Sequence, residues 1–394
     1  MPRPILLLNC GSSSIKYQVI DADTENVDAV GLVERIGIEG SRIKHEVGDK
    51  EYVREQDFAD HREALHALVN LFNEVGPDLS KVIAVGHRTV HGGERFRETT
   101  IITDEVVEAL RNLSDLAPLH NPPGIMGIEA ARAVLPDVPQ VAIFDTAFFS
   151  TLPAEAYTYA VDAKLAKEYQ IRKYGFHGTS HSYVSQKVAE VLGQPYDSFN
   201  QIVCHLGNGA SISAIDHGVA VDTSMGLTPL AGLVMGTRSG DVDPGLHAYL
   251  GRVLNSNVQE IDTMLNRMSG MLGLAGVTDF RDLSALIAQG DEQAELAMNV
   301  YIHRLLSYVG AYVAVLGGVD AITFTAGVGE NDPDVRARLI HRLASLGFEL
   351  DEEANKVRSK EPRIISAATS KVKILVVPTN EELAMARETL AAIS

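Results

Sequence analysis

Cysteine is nearly absent from this 394-residue chain. Only Cys10 and Cys204 occur, in unrelated apolar contexts and without CxxC spacing. That excludes a disulfide framework and a thiolate zinc site, and reads as two buried thiols in a reducing cytosol. Long apolar runs are missing as well. The longest candidate, 309–319, is interrupted by Gly310, Gly317 and Gly318, and no stretch is long enough to cross a bilayer. The N-terminal run ending at Asn9 is too short for a secretory leader and reads as a strand. Positive charge is scarce: 34 Lys and Arg stand against 52 Asp and Glu, a formal net charge of −18. This disfavours nucleic acid as a partner and makes any anion site depend on local cations. No GxxxxGK[ST] P-loop, HRD/DFG pair, HExxH or GxSxG occurs. Phosphoryl transfer here would need another phosphate cradle.

What is present is an ordinary globular composition, 45% hydrophobic and 22% charged, at a length that suits two domains. Residues 4–8 and 15–20 read as two strands joined by a Gly-Ser turn. Asp60 with Glu63 opens a helix as a capping box, and Leu65, Leu68, Phe72 and Val75 form its apolar face. A buried-strand pattern at 82–85 runs into His87 and Arg88. Thr103 caps a further helix, and residues 140–144 form a strand ending at Asp145. The second half repeats the grammar. GSSSIKYQVID resembles NGASISAID, and VAIFDTAF resembles AITFTAGVG, in the same order. Two related α/β halves are therefore expected. The boundaries are 1–150, joined by a C-terminal helix at about 382–394, and 151–381. The helix at about 292–316, apolar on most faces, is expected to be buried.

Polar, glycine-rich segments stand at the strand ends, where open α/β sheets bind ligands. Asn9, Ser12, Ser14 and Lys16 surround the first turn, where small residues let backbone N–H groups approach a phosphate. The alternative is a plain hairpin with a surface lysine. Arg88 enters the turn GHRTVHGG and can hold a carboxylate or phosphate bidentately, or simply brace the turn. His120 lies in a loop stiffened by Pro122 and Pro123. His177 sits between Gly175 and Gly178 before a helix capped by Thr179 or Ser180 and ending at Gly193, a setting suited to an anion or to a mere capping turn. Gly207, Asn208 and Gly209 precede the stretch 222–244, which suits neither helix nor strand and carries Arg238. Gly327, Gly329 and Asn331 follow a strand. Glu381 opens the last helix, where the dipole favours its ionised form and a Mg²⁺ contact is plausible chemistry.

Taken together, NCGSSSIKY, GHRTVHGGERF, LAPLHNPPGI, FDTAFFSTLP, YGFHGTSHSYV, HLGNGASISAI, DTSMGLTPLAGLVMGTRSGDVDPG, FTAGVGEN and NEELAMA resemble the acetate kinase family. That family lies within the acetate and sugar kinase/Hsc70/actin superfamily. The segments run in family order from Asn9 to Ala386; only 273–280, GLAGVTDF, departs from the pattern. The resemblance implies two actin-like, ribonuclease H-like domains with an interdomain cleft, and direct in-line transfer of the ATP γ-phosphoryl group to acetate. It implies that Arg88 and Arg238 bind the carboxylate and the phosphoryl group in flight. His177 and Asn208 would contact that group, His120 would act from the acetate side, and Asp145 would orient acetate or the metal network. Val90, Leu119 and Pro229 would form the methyl pocket. Ser12, Ser14, Lys16, His205, Gly207, Gly209, Asp279, Phe280, Arg281, Gly327, Gly329 and Asn331 would contact the nucleotide. Asn9 and Glu381 would position Mg²⁺, for which Mn²⁺ can substitute. A cytoplasmic homodimer is implied too. The rival readings are a propionate or butyrate kinase, against which Val90 narrows the pocket, a non-enzymatic ATP-binding module, and a catalytically dead carboxylate-binding regulator.

Overall fold

The computed structural model describes residues 2–118 and 120–394; Leu119 lies outside the described residues. The chain forms two compact units, residues 1–150 with 380–394, and residues 151–379.

The first unit is built on a sheet of eight strands: β1 (Pro4–Gly11), β2 (Ser14–Asp21), β3 (Val27–Glu34), β4 (Arg42–Val47), β5 (Lys50–Glu55), β6 (Ala84–Thr89), β7 (Thr100–Ile101) and β8 (Gln140–Phe144), in the order β5-β4-β3-β2-β1-β6-β8-β7. Strands β1 to β5 form an antiparallel meander, and β1, β6 and β8 run parallel. The alternation in β2 shows why: Ile15, Tyr17 and Val19 are buried and Lys16 faces out. The buried set meets Leu65, Leu68 and Phe72 of the helix His61–Val75. That helix starts at Asp60 as expected, but without the reciprocal bond of a capping box, since Glu63 turns to Ala59 N and not to Asp60 N. Asp60 accepts from Glu63 N (2.9 Å), and Glu63 reaches back to Ala59 N (2.8 Å). Thr103 likewise caps Asp104–Asn112.

The parallel strands are buried without alternation because both of their faces are covered. Leu6, Leu8 and Val85 pack with Ala130 and Ala131 of the helix Asn121–Val134. Ile5, Leu7, Val141 and Ile143 pack with Met385 and Ala386 of the C-terminal helix Glu381–Ile393. That helix comes so close to β6 that a Cβ on Gly86 would lie 2.5 Å from Thr389 Oγ1.

The second unit has a six-stranded sheet: β9 (Gln201–Leu206), β10 (Ala210–Asp216), β11 (Val219–Thr223), β12 (Ala321–Thr325), β13 (Arg363–Ile364) and β14 (Lys373–Val376), ordered β11-β10-β9-β12-β14-β13. Strands β9 and β10 are antiparallel, while β9, β12 and β14 are parallel. The run β3-β2-β1-β6-β8 therefore has the same order and sense as β11-β10-β9-β12-β14. These are two related actin-like halves, as the resemblance implies. The sequence match between GSSSIKYQVID and NGASISAID joins equivalent hairpins. The match between VAIFDTAF and AITFTAGVG does not. It pairs β8 with β12, whereas the counterpart of β12 is β6 and that of β8 is β14. Buried parallel strands share an apolar composition wherever they lie, so likeness there carries little register information.

The helix Glu292–Val315 also corrects an expectation. Its buried residues, Ala294, Ala297, Met298, Tyr301, Ile302, Leu305, Val309 and Tyr312, occupy one face at three- and four-residue spacing. The opposite face is exposed, Leu296 included. Apolar content on most faces did not mean burial on all of them.

His87, on β6, is 2% exposed and donates from Nε2 to Gln140 Oε1 at 2.7 Å. Burial lowers its pKa to about 4, with the Gln140 bond opposing. The unfolded chain takes up a proton here near pH 6.5, the folded protein only near pH 4. Stability from this residue therefore falls as pH drops through that window. Between pH 7 and pH 5 the native chain should lose about 2 kcal/mol more than a His87→Gln variant does. Urea unfolding at the two pH values measures this, and equal pH dependence in both proteins would refute it.

Candidate active site

In the first unit the geometry centres on Arg88. Strand register explains its partner: Arg88 pairs with Ile143 across β6 and β8, so Asp145, just past β8, falls beside it. Asp145 N donates to Thr89 O at 3.0 Å and anchors that residue. Arg88 Nε and Nη2 donate to the two carboxylate oxygens of Asp145 at 3.1 and 2.9 Å. Nη1 lies 3.1 Å from Glu381 Oε2. Two of the five guanidinium donors are thus spent on Asp145. The Asp145 charge, then Glu381, hold Arg88 firmly protonated. For Glu381 the expectation from the helix dipole is reversed. Burial pushes its pKa up, and Arg88 opposes that shift without overcoming it. Glu381 stands first in a helix capped by Asn380, whose Oδ1 accepts from Leu383 N at 3.0 Å.

Asn9 and Lys16 are cross-strand partners in the β1–β2 hairpin. With Arg88 and Glu381 they line a cavity of about 320 Å³. Ser12 is exposed at the hairpin tip, and Ser14 pairs with Gly11. Among the described residues no group of three or more His, Cys, Asp or Glu could hold a metal ion. The two oxygen donors Asn9 and Glu381 suit a cation that keeps most of its waters and shares substrate phosphates, which is how Mg²⁺ binds.

Val90 is half-buried just beyond β6. The turn that follows is strapped to the helix Asn121–Val134: Asn121 Oδ1 accepts from His91 N (3.3 Å) and its Nδ2 donates to His91 O (3.1 Å). His120 is the N-cap residue of that helix. Pro122 and Pro123 do not stiffen a loop; they occupy the first helical turn, where a missing N–H costs nothing. Asn121 is a positioning residue that sequence reading passed over.

In the second unit His177 occupies the N-cap position of the helix Gly178–Leu192 in the left-handed region, at φ +59°. Thr179 and Ser180 are not the caps. They are buried in the first turn, and Ser180 Oγ is engaged by His205 Nδ1 and Thr379 Oγ1, both at 2.8 Å. The helix ends at Gly193 as expected. His205 stacks on His177 with ring centroids 4.4 Å apart. Ser211 Oγ lies 3.0 Å from His177 Nδ1 and 2.8 Å from His181 Nε2, and Ser213 Oγ lies 2.8 Å from His181 Nδ1. Burial, then the neighbouring His205, hold the His181 pKa well below the ordinary range, so this ring is neutral. Ser211 and Ser213 were overlooked. The signal was there: hydroxyls at alternate positions of a strand buried on both faces must have partners.

With Nδ1 on Ser211, the His177 ring lies against the turn at Gly209. A Cβ there would lie 3.4 Å from His177 Nε2 and 3.5 Å from Arg238 Nη1, so both side chains converge on this turn. Asn208 packs against Gly236, where a Cβ would fall 1.8 Å from its Oδ1. Arg238 is half-buried, and among the described residues no carboxylate forms an ion pair with it; Met235 Sδ lies 4.0 Å away. Burial alone lowers its pKa. Pro229 lies in a turn of the same long stretch.

A cavity of about 690 Å³ gathers Gly207, Asn208, Asp279, Phe280, Arg281, Gly327 and Asn331, with Arg358 on its wall. Several of these have structural tasks besides. Asp279 caps the helix Phe280–Ala288 and pairs with Arg281, which lowers its pKa to about 2. Phe280 is largely buried, edge-on to Tyr301. Asn331 donates to Gly327 O (2.9 Å) in the short helix Ala326–Asn331. Gly329 is set apart from the cavity: it is buried against Phe324, Cys204 and Leu206.

The Acetokinase family model matches residues 4–387. An acetate kinase of Clavibacter michiganensis subsp. michiganensis is 53% identical over 390 residues, covering 98% of each chain. A solved acetate kinase structure from Porphyromonas gingivalis is 41% identical over 100% of both chains, with a TM-score of 0.95. A solved propionate kinase from Francisella tularensis subsp. tularensis is 42% identical over 99% of both, with a TM-score of 0.93. With half its residues shared over nearly its whole length, this chain belongs to the acetokinase family.

Proposed function

We propose that this protein is an acetate kinase, transferring the ATP γ-phosphoryl group reversibly to acetate to give acetyl phosphate and ADP. The observation that carries the reading is the state of Arg238: half-buried, without a carboxylate partner among the described residues, and convergent with His177 on the Gly209 turn. A desolvated cation in a chain of net charge −18 needs an anion, and the substrates of this reaction are all anions.

In this reading Asp279, Phe280, Arg281, Gly327 and Asn331 hold adenosine, with Gly207 and Gly209 under the phosphates. Gly329 supports that wall from behind. Ser12, Ser14 and Lys16 contact phosphate. Asn9 and Glu381 hold Mg²⁺, or Mn²⁺ in its place, which would neutralise phosphate charge. Arg88 presents its remaining donors to the acetate carboxylate, with Asp145 fixing its plane. The family resemblance assigns Val90 to the methyl group, with His120 acting on the same acid. Arg238, His177 and Asn208 stabilise the phosphoryl group as its charge spreads over the equatorial oxygens. His205 and Ser211 keep the His177 ring in place. Acetate is ionised at neutral pH and attacks without a general base. A homodimer and a cytoplasmic location belong to the same proposal. No helix among the described residues is long and apolar enough to cross a membrane.

The propionate kinase relative makes acid choice the feature to measure. With ATP and Mg²⁺, hydroxylamine trapping should yield acetohydroxamate strongly, propionohydroxamate less and butyrohydroxamate least. ATP hydrolysis without dependence on any acid would overturn the proposal. Val90→Ala should raise kcat/KM for propionate relative to acetate by roughly tenfold, since one methylene is worth about 1–3 kcal/mol; an unchanged ratio would remove Val90 from the pocket. Arg238→Ala should lower kcat by on the order of 10²–10³ while KM for acetate moves far less. Near-normal turnover would remove Arg238 from its assigned role.

A further inference from the structure

The segment 232–241 carries Arg238 and has neither helix nor strand, yet one side chain holds both of its ends. Gly232 N donates to Asp241 Oδ1 at 2.7 Å, and Asp241 N donates to Gly232 O at 3.0 Å, closing the segment into a ring. The other carboxylate oxygen, Oδ2, accepts from the Tyr308 hydroxyl at 2.6 Å and from Arg304 Nη1 at 3.2 Å. Arg304 Nη2 donates to the Asp241 carbonyl at 3.2 Å. Arg304 and Tyr308 are neighbours one turn apart on the helix Glu292–Val315, at the margin of the face it buries. Inside the ring Met235 N donates to Arg238 O at 3.1 Å, and Gly236 N donates to Asn208 O at 2.9 Å. At Gly240, with φ +69°, a Cβ would lie 2.3 Å from Leu233 O, so the ring closes tightly on itself.

The Arg238 guanidinium has no carboxylate among the described residues to orient it. Its direction must then come from the backbone that bears it. We propose that Asp241 is the positioning residue of Arg238: its carboxylate closes the 232–241 ring with one oxygen and bolts that ring to Arg304 and Tyr308 of the long helix with the other. This rests on the reading of Arg238 as the residue that grips the transferred phosphoryl group. Asp241 itself reaches no substrate in this account. A small slip of the ring misaims the guanidinium, and a misplacement of about 1 Å can cost about a hundredfold in rate.

The test is a double-mutant cycle run beside the native protein. Asp241→Asn keeps the size but loses the charge that gathers Tyr308 and Arg304. It should lower kcat by about 10- to 100-fold with the KM for ATP within about twofold. In an Arg238→Ala background the same change should add nothing, because it acts through a side chain already gone. Tyr308→Phe removes a single bond and should show the same pattern more weakly, and it decides the matter should Asp241→Asn not fold. Losses that multiply with Arg238→Ala, or native kcat in both variants, would overturn the proposal. Amide hydrogen exchange gives a second readout that needs no assumption about the accepted acid. Tyr308→Phe should speed exchange at Gly232 and Asp241 while the β9–β12 core stays protected. Native protection there overturns the brace even if the native protein phosphorylates acetate. Failure of the native protein to phosphorylate any acid counts instead against the assigned reaction.

Discussion

Three parallel strands of the first unit, β1, β6 and β8, must be covered on both faces, and the local chemistry there follows from how that is done. One face receives the helices His61–Val75 and Asn121–Val134, and the other receives the chain's last helix. Burying Ile5, Leu7, Val141 and Ile143 is worth roughly 1.5–3 kcal/mol for each side chain, enough to hold a terminal helix that would otherwise fray. Docking that helix brings its first residue, Glu381, against Arg88, while strand register brings Asp145 to the other side. The charged clamp is thus assembled by hydrophobic coverage. Arg88 also offsets part of the cost of burying Glu381, whose pKa burial still raises.

The two arginines sit in opposite electrostatic regimes. Arg88 is paired on two sides, and its pKa is driven up by those charges. Arg238 is paired with no carboxylate among the described residues, and its pKa is driven down by burial. A paired arginine is held in orientation and has little charge left over. An unpaired one keeps its full charge for a ligand but gains no orientation from its surroundings. The stretch around Arg238 is densely cross-linked by backbone hydrogen bonds despite lacking regular structure.

Local patterns made much of the fold legible. Alternation identified β2, Asp60 and Thr103 marked helix starts, and Gly193 marked a helix end. The equivalence of the hairpins β1–β2 and β9–β10 could be read because turn chemistry and alternation recur together. What could not be read depends on partners distant in sequence. Thr179 and Ser180 are good caps by type, but Ser180 is drawn inward by His205 and Thr379, and the chain enters the helix through a left-handed His177 instead. The exposed side of Glu292–Val315 was hidden by its apolar composition. Among the candidate residues, Arg88, His177 and Arg238 stood out by their chemistry, whereas the wall from Asp279 to Arg281 came only from the family resemblance. The supporting residues did not stand out. Asn121, Ser211 and Ser180 are ordinary polar residues whose importance lies in which backbone or ring they meet.

The shared strand order assigns each half the same place for a ligand, at the carboxyl ends of its central strands and the hairpin turn beside them. The two turns nevertheless differ in kind. Between β1 and β2 the tip is Ser12-Ser13, exposed and rich in hydroxyls, with Lys16 one pleat further along. Between β9 and β10 the turn is Gly207-Asn208-Gly209, kept free of side chains where His177 and Arg238 crowd in, and with Asn208 pressed onto Gly236. A hydroxyl-bearing turn offers its own donors to a phosphate. A turn with glycine on both sides of Asn208 offers mainly backbone and leaves room for charged side chains arriving from elsewhere. Duplicated topology thus accounts for the position of both turns, and substitution within them accounts for the difference in what each can bind.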